Sequence, residues 1–251
     1  MKCLYFIYQY LVALPLALVA TLITALVTLI GCSVGLSRCF GYYPAKIWSQ
    51  VVCALYLLPV KVEGRENTRP GTSYVFVANH QGAFDIFLVY GFLGHDFRWM
   101  MKESLKSIPF VGQACKAAGH VFVNRASLQS IEESINKAHK ALQGGKSMVI
   151  FPEGTRSLTG QMGRFKKGAF LLADEMQLPV VPLTINGSYE VMPKGRYFIS
   201  RHRLLLTIHK PILPQGKGEE NIKRLAALSS EAIESCLPPA QRSKTAPQNK
   251  P

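Results

Sequence analysis

The strongest constraint on this chain is a long apolar run near its N-terminal end. Residues 3–37 contain no Lys, Arg, Asp or Glu, and residues 11–30 read LVALPLALVATLITALVTLI. A helix needs ~20 apolar residues to cross a bilayer, so this stretch is long enough. A secretory signal peptide has a shorter apolar core, usually ~7–15 residues, followed by a cleavage site. The sequence therefore favours a retained membrane segment over a cleaved signal.

A second apolar stretch follows at residues 47–60, which read IWSQVVCALYLLPV. It is short for a span but suits an interfacial or re-entrant helix, in which Trp48 and Tyr56 would lie at headgroup depth. Residues 41–44, GYYP, lie between the two stretches and are typical of a turn. We predict that residues 1–59 form a membrane-anchoring helical hairpin. The alternative is that the second stretch is a buried core helix of the globular domain.

The charge of the chain indicates anionic partners. It has 29 Lys and Arg against 15 Asp and Glu, a formal net charge of +14. The bases are unevenly placed, because no acid occurs between Glu153 and Asp174 or between Glu190 and Glu219. Such an excess favours phosphates, nucleic acid, anionic lipid or an acidic protein as partners. The sequence has neither a helix-turn-helix pattern nor interleaved aromatic and basic residues, which disfavours a nucleic-acid-binding protein.

From residue 61 onward, short apolar strands alternate with helical patterns. This alternation predicts an α/β fold with a mixed, largely parallel sheet flanked by helices. We assign residues 60–237 to this domain and expect the polar, proline-rich residues 238–251 to be disordered. Strands are predicted at residues 73–78, 97–101, 120–123, 147–151, 180–185 and 204–209. Helices are predicted at residues 84–93, 104–118, 127–143, 166–176 and 219–236.

A histidine and an aspartate follow the first of these strands. Residues 77–85 read VANHQGAFD, so His80 leaves the strand and Asp85 opens the next helix. The carboxyl ends of strands are where open α/β sheets place their sites. A neutral imidazole can take a proton from an alcohol near pH 7, and a carboxylate on its other nitrogen fixes the tautomer. The alternative is that Asp85 only caps the helix and His80 is a packed loop residue.

A second polar loop also follows a strand, at residues 151–157, which read FPEGTRS. Its backbone N–H groups, hydroxyls and guanidinium could bind a phosphate. Lys102 and Arg125 likewise follow apolar segments, and with Arg156 they could surround one phosphomonoester. Taken alone, Lys102 and Arg125 are better explained as solvated surface charges, and Arg156 fits either interpretation.

Together these blocks resemble the glycerophospholipid acyltransferase family, and within it the bacterial 1-acyl-sn-glycerol-3-phosphate acyltransferases. The resemblance covers about residues 60–209 and rests on the order and spacing of five blocks. The sequence departs from many members at Asn124, where they carry Asp before the arginine. The five blocks are residues 79–85, 102–112, 119–125, 151–157 and 181–185.

The resemblance implies transfer of a fatty acyl group from an acyl-carrier protein or coenzyme A thioester to the sn-2 hydroxyl of 1-acyl-glycerol-3-phosphate (lysophosphatidic acid), giving phosphatidic acid. It implies no metal and no other cofactor. It gives each matching residue a role: His80 as general base, Asp85 as its orienting carboxylate, Lys102, Arg125 and Arg156 as ligands of the substrate phosphate, and Glu153, Gly154 and Thr155 as an acceptor-binding loop.

The resemblance also implies membrane lipid as a partner and the inner, cytoplasmic membrane as the location, with the catalytic domain facing the cytoplasm. Two alternatives stay open within the family. One is an acyltransferase with another acceptor, such as a lyso-aminolipid or glycerol 3-phosphate. The other is a catalytically inactive, lipid-binding member.

Overall fold

The computed structural model describes residues 2–123, 128–142 and 144–243. Its strands are β1 (Val60–Glu63), β2 (Val75–Ala78), β3 (Phe97–Lys102), β4 (Val121–Val123), β5 (Ser147–Ile150), β6 (Val180–Asn186) and β7 (Leu204–Ile208). Its α-helices are α1 (Lys2–Tyr8), α2 (Leu14–Ser33), α3 (Ser37–Phe40), α4 (Tyr43–Leu55), α5 (Phe84–Phe92), α6 (Val111–Ala117), α7 (Leu128–Ala141), α8 (Gly168–Met176), α9 (Ser188–Val191) and α10 (Glu219–Ser235).

The described strands form one seven-stranded sheet in the order β1-β7-β6-β2-β5-β3-β4. Every neighbouring pair is parallel except β6 and β7, which are antiparallel. The predicted mixed, largely parallel sheet is therefore confirmed. Because β6, β2, β5, β3 and β4 run in one direction, the segments that follow them all leave the same edge of the sheet.

The central strand β2 packs against helices on both faces. Phe76 and Ala78 point into one core with α4 and α5, whereas Val75 and Val77 point into a second core with α7, α8 and α10. This alternation follows from the two-residue period of a strand. Burial on both faces also explains why the segment reads as a continuous apolar run in the sequence.

The N-terminal helix has the opposite character, because most of it is exposed. Residues Cys3–Ser33 form one apolar helix, in which a π-helical turn at Gln9–Ala13 joins α1 to α2. An 18-residue window of this helix has a mean hydropathy of 2.4, and only 17% of that window is buried. By length and composition it could cross a membrane. A buried core helix would not leave so many large apolar side chains exposed, so this helix points to membrane association.

Helix α4 belongs to the core on its inner face. Three of the residues from this segment are buried in the same cluster as Phe84 of α5: Val52, Cys53 and Tyr56. On its other side α4 packs against α2, where Trp48 Nε1 donates a hydrogen bond to Thr21 Oγ1 at 2.9 Å. The two helices therefore pack as a pair, and the second is also a core helix of the α/β domain. The division at residues 59 and 60 stays a prediction, although α4 shares its core with α5.

Three local features differ from the sequence prediction. Strand β1 was not predicted, because four residues of VKVE carry too short a pattern; it pairs with β7 at the edge of the sheet. The predicted helix over 104–118 is divided near Pro109 into a 3-10 turn and α6. The predicted disorder of residues 238–251 is wrong for the first of them, because Pro239–Gln241 forms a 3-10 turn in which Gln241 Nε2 donates to Glu190 Oε1 at 2.7 Å. Residues 244–251 lie outside the described residues.

The two faces of α4 give a stability test with adjacent valines. Val52 is 3% exposed and Val51 is 40% exposed. We expect Val52→Ala to lower the free energy of unfolding by about 2 kcal/mol, because two methyl groups leave the core and a cavity remains. Val51→Ala should change it by less than about 0.5 kcal/mol. Denaturation of both variants in detergent measures this, and equal effects would show that α4 is not anchored in the core.

Candidate active site

The turn between β2 and α5 is organised around the carboxylate of Asp85, which is fully buried. Its Oδ2 atom accepts hydrogen bonds from His80 Nδ1 at 2.7 Å, from the backbone N–H of Gln81 at 2.8 Å and from that of Gly82 at 3.0 Å. Asp85 therefore both closes the turn and orients the imidazole. Its place in the first turn of α5 also suits a negative charge.

This hydrogen bond assigns the tautomer of His80. An ionised carboxylate only accepts hydrogen bonds, so Nδ1 carries the proton and Nε2 keeps its free electron pair. The ring stacks on Phe151 with centroids 3.9 Å apart and an angle of 9° between planes. The His80 side chain is 15% exposed, so it is fixed but accessible. The predicted pair is thus brought together in a geometry suited to proton abstraction.

Two neighbouring residues that the sequence analysis did not assign hold this turn. The Asn79 amide pairs with the backbone of Ile185: Nδ2 donates to its C=O at 2.9 Å and Oδ1 accepts from its N–H at 2.8 Å. The side chain thus continues the β2–β6 pairing beyond the end of β2. Gly82 lies so close to the chain that an added Cβ would come within 2.2 Å of the Ser188 carbonyl oxygen. In the sequence, only the position of its amide directly after a buried strand indicated this structural role of Asn79.

Glu153, in the loop after β5, is turned inward. Its Oε1 accepts from the backbone N–H of His80 at 2.7 Å, and its Oε2 accepts from that of Gly163 at 2.7 Å. Burial raises the pKa of Glu153 to about 7, although the two N–H donors act in the opposite direction. Both oxygens are therefore engaged by the protein itself. Glu153 therefore holds the two loops together, and its expected contact with the acceptor stays a prediction.

Two further hydrogen bonds to backbone carbonyl groups join the loops after β2 and β5. The N–H of Ser157 donates to the His80 carbonyl at 2.9 Å, and Gln81 Nε2 donates to the Gly160 carbonyl at 2.8 Å. Gly154 has a φ of +81°, which a side chain would strain, and Thr155 is exposed at the tip of the loop. Gly154 and Thr155 thus lie in the loop beside His80, and Thr155 is exposed.

The predicted cations are placed by the topology of the sheet. Lys102 ends β3, which neighbours β5, and Arg156 follows β5 in a half-buried position. Within the described residues, neither of them has a carboxylate at salt-bridge distance. Arg125 and Asn124 lie outside the described residues. Val123, the last residue of β4, pairs with Lys102.

An apolar cavity of about 280 Å³ lies between α2, α4, α5, β3 and α6. Trp99 on its wall stacks on Phe151, which stacks on His80, so a row of aromatic rings links the cavity to the imidazole. His120 also lines the cavity, and burial lowers its pKa to about 3. Its Nδ1 accepts from the backbone N–H of Trp99 at 3.2 Å. This histidine is a neutral core residue and not a second base.

The part of the chain that the structure describes contains no cluster of metal-binding side chains. No group of three or more His, Cys, Asp and Glu side chains there has the arrangement of a metal site. The expectation that the chain needs no cofactor stays a prediction.

Comparison with known proteins gives a consistent family. The family model described as Acyltransferase matches residues 59–186. The chain is 36% identical over 178 residues to the chloroplastic 1-acyl-sn-glycerol-3-phosphate acyltransferase LPAT1 of Arabidopsis thaliana; this covers 70% of the chain and 49% of that relative. It is 33% identical over 232 residues to the 1-acyl-sn-glycerol-3-phosphate acyltransferase of Saccharomyces cerevisiae, covering 90% of the chain and 75% of the relative.

A solved structure is similar over almost the whole chain. It is the crystal structure of the 1-acyl-sn-glycerophosphate (LPA) acyltransferase PlsC from Thermotoga maritima, with a TM-score of 0.75 and 28% identity, covering 93% of this chain and 95% of that one. The chain spans about half the length of the Arabidopsis relative but nearly all of the bacterial one. With the strand-end histidine and aspartate in place, these matches establish that the chain belongs to the acyltransferase family.

Proposed function

We propose that this protein is a membrane-associated 1-acyl-sn-glycerol-3-phosphate acyltransferase, which moves a fatty acyl group from a thioester to the sn-2 hydroxyl of lysophosphatidic acid. The observation that carries the proposal is the 2.7 Å hydrogen bond between His80 Nδ1 and Asp85 Oδ2, which leaves Nε2 as a base at an accessible edge of the sheet. The names of the similar proteins from Arabidopsis thaliana, Saccharomyces cerevisiae and Thermotoga maritima support the same substrate.

The reaction follows from this arrangement. His80 Nε2 takes the proton of the sn-2 hydroxyl while the oxygen of that hydroxyl attacks the thioester carbonyl carbon. The C–S bond then breaks, the ester forms, and the imidazolium returns the proton to the leaving thiolate. Asp85 stabilises the imidazolium and holds the tautomer.

No serine nucleophile is required in this scheme. Residues 31–35 read GCSVG, but Ser33 is the last residue of α2 and its Oγ donates to the Ile30 carbonyl at 2.8 Å. A nucleophile elbow of that pattern needs a strand-to-helix turn. The G-x-S-x-G pattern therefore lies in the wrong structural context for acyl-enzyme chemistry.

The proposal places the remaining parts of the substrates around His80. Arg156, Lys102 and Arg125 bind the acceptor phosphate, Arg156 through a bidentate guanidinium. The apolar cavity behind Trp99 takes an acyl chain, because its lining is almost entirely apolar. An acyl-carrier protein or coenzyme A thioester is the donor, and no other cofactor takes part.

The proposal also fixes a location. The exposed apolar helix Cys3–Ser33 inserts into the membrane, and the basic residues of the catalytic domain face anionic lipid. We assign the protein to the inner, cytoplasmic membrane with the α/β domain on the cytoplasmic side. An acceptor panel with purified protein and labelled donor tests the function: lysophosphatidic acid should be acylated in preference to lyso-aminolipids and glycerol 3-phosphate, and a different preferred acceptor would contradict the proposal.

Removing the base should abolish turnover without unfolding the protein. We expect His80→Ala to lower kcat by ~10²–10⁴-fold, the usual contribution of a general base. Asp85→Asn should also lose most activity, because an amide no longer favours the proton on Nδ1 or stabilises the imidazolium. Steady-state kinetics measures both, with His202→Ala, an exposed histidine, as the control. If His80→Ala keeps more than about a tenth of the wild-type kcat, His80 is not the base.

Arg156 should act on the acceptor and not on the donor. A bidentate, charge-assisted contact to phosphate contributes ~1.5–3 kcal/mol. We therefore expect Arg156→Ala to lower kcat/KM for lysophosphatidic acid by roughly 10–150-fold, while the KM for the donor stays nearly constant. Arg156→Lys should recover only part of this loss, since a point charge cannot copy the planar fork. Arg164→Ala, an exposed arginine of the same connection, is the control; an equal rise of both KM values would argue against a phosphate site.

The inward carboxylate of Glu153 predicts a pH-dependent stability. Its pKa rises from an ordinary 4.5 to about 7 on folding, so the folded state binds the proton more tightly than the unfolded state. The stability linked to this proton is present in full below about pH 4.5 and is lost as the pH rises through about 7. Glu153→Gln removes the titration, although it leaves one backbone N–H without an acceptor.

We therefore expect the free energy of unfolding of the wild type, relative to Glu153→Gln, to fall between about pH 5 and about pH 8, by on the order of 1–3 kcal/mol. Comparison with the variant cancels other titrating groups, such as His120. Exposed Glu175→Gln serves as the control. A difference that stays constant with pH would show that Glu153 is ionised throughout.

A further inference from the structure

The connection after β6 reaches the same edge of the sheet as His80. Strand β6 is parallel to β2 and pairs with it on the side opposite to β5. The chain leaves β6 at Asn186, forms α9, and continues through Met192 and Pro193 to Lys194. His80 therefore lies between the loop after β5, which carries Arg156, and this connection, which carries Lys194.

Backbone contacts fix the connection to the catalytic turn. Pro193 forms an antiparallel bridge with Gly82, and the N–H of Ala83 donates to the Met192 carbonyl at 3.0 Å. Both partners lie between His80 and Asp85 in the sequence. The backbone position of Lys194 is thus tied to the same turn that holds the base.

The side chain of Lys194 turns toward the loop after β5. Its Nζ donates to Thr155 Oγ1 at 3.3 Å, and Thr155 immediately precedes Arg156. Among the described residues, Lys194 has no carboxylate within 4.0 Å. The two acids nearest to it along these connections bind other groups: Glu190 Oε1 accepts from Gln241, and both oxygens of Glu153 accept from backbone N–H groups. An ammonium group without a counter-ion therefore lies beside an exposed hydroxyl at the site.

We propose that Lys194 is a further acceptor-binding residue, whose ammonium group binds the acceptor phosphate together with the Thr155 hydroxyl. This inference rests on the proposed function. A strongly hydrated point charge and a hydroxyl donor suit a phosphomonoester. Arg156 would approach the phosphate from the loop after β5 and Lys194 from the connection after β6. Phosphate held from both sides fixes the position of the sn-2 hydroxyl relative to His80.

Kinetics with a short-chain, soluble lysophosphatidic acid tests this on the full-length protein in detergent. We expect Lys194→Gln to raise the KM for the acceptor roughly tenfold, with kcat and the KM for the donor within about twofold of wild type. Lys194→Arg should restore most of the affinity. The preference for lysophosphatidic acid over a monoacylglycerol of the same chain length should fall by the same factor, because the second acceptor has no phosphate.

Arg196→Gln is the matched control, since Arg196 is exposed in the same basic stretch two residues further on. An equal loss in both variants would assign the effect to general surface charge and overturn the proposal. An unchanged KM in Lys194→Gln, or a rise confined to the donor, would overturn it too. If the wild type does not acylate lysophosphatidic acid at all, the proposed function fails first, and this is seen before any variant is compared.

Discussion

Asp85 is fully buried, and three donors converge on one oxygen of its carboxylate. Two of them are backbone N–H groups of the turn and the third is the imidazole of His80. A buried carboxylate without partners would be costly, and these three hydrogen bonds offset that cost and stabilise the closed turn. One interaction thus sets the path of the backbone, the tautomer of the histidine and the direction of Nε2. The other contacts of the site add to the arrangement that this carboxylate sets.

Two buried carboxylates hold different parts of His80. Asp85 holds the ring, whereas Glu153 accepts from the backbone N–H of the same residue and Ser157 donates to its carbonyl. The histidine is therefore held at its side chain, its N–H and its C=O by groups from two loops. A base that is fixed at several points loses little freedom when substrate binds, which is the structural basis of preorganisation.

Local sequence was sufficient for the parts of this site that depend on local structure. The strand, the turn and the helix of residues 77–85 are contiguous, so their spacing suggested a His80–Asp85 pair, and the resemblance of the five blocks favoured it over simple helix capping. The inward turn of Glu153, the pairing of Asn79 with Ile185 and the contact of Lys194 with Thr155 join residues far apart in the chain. No periodicity encodes such pairs. The core position of the inner face of α4 was only the alternative interpretation for a related reason, because an apolar stretch has the same pattern whether it contacts lipid or a protein core.

The link between the apolar N-terminal helix and His80 is also a long-range one. Gln9, at the π-helical turn of the apolar helix, is buried and pairs with the backbone of Ile199: Nε2 donates to its carbonyl at 2.6 Å and Oε1 accepts from its N–H at 3.3 Å. Ile199 belongs to the connection whose Pro193 bridges Gly82. A polar side chain in an apolar helix is stable here because both its hydrogen-bonding groups are used. The apolar N-terminal helix and the turn that holds His80 are therefore joined through one short connection, so the fold itself sets where His80 lies relative to this helix.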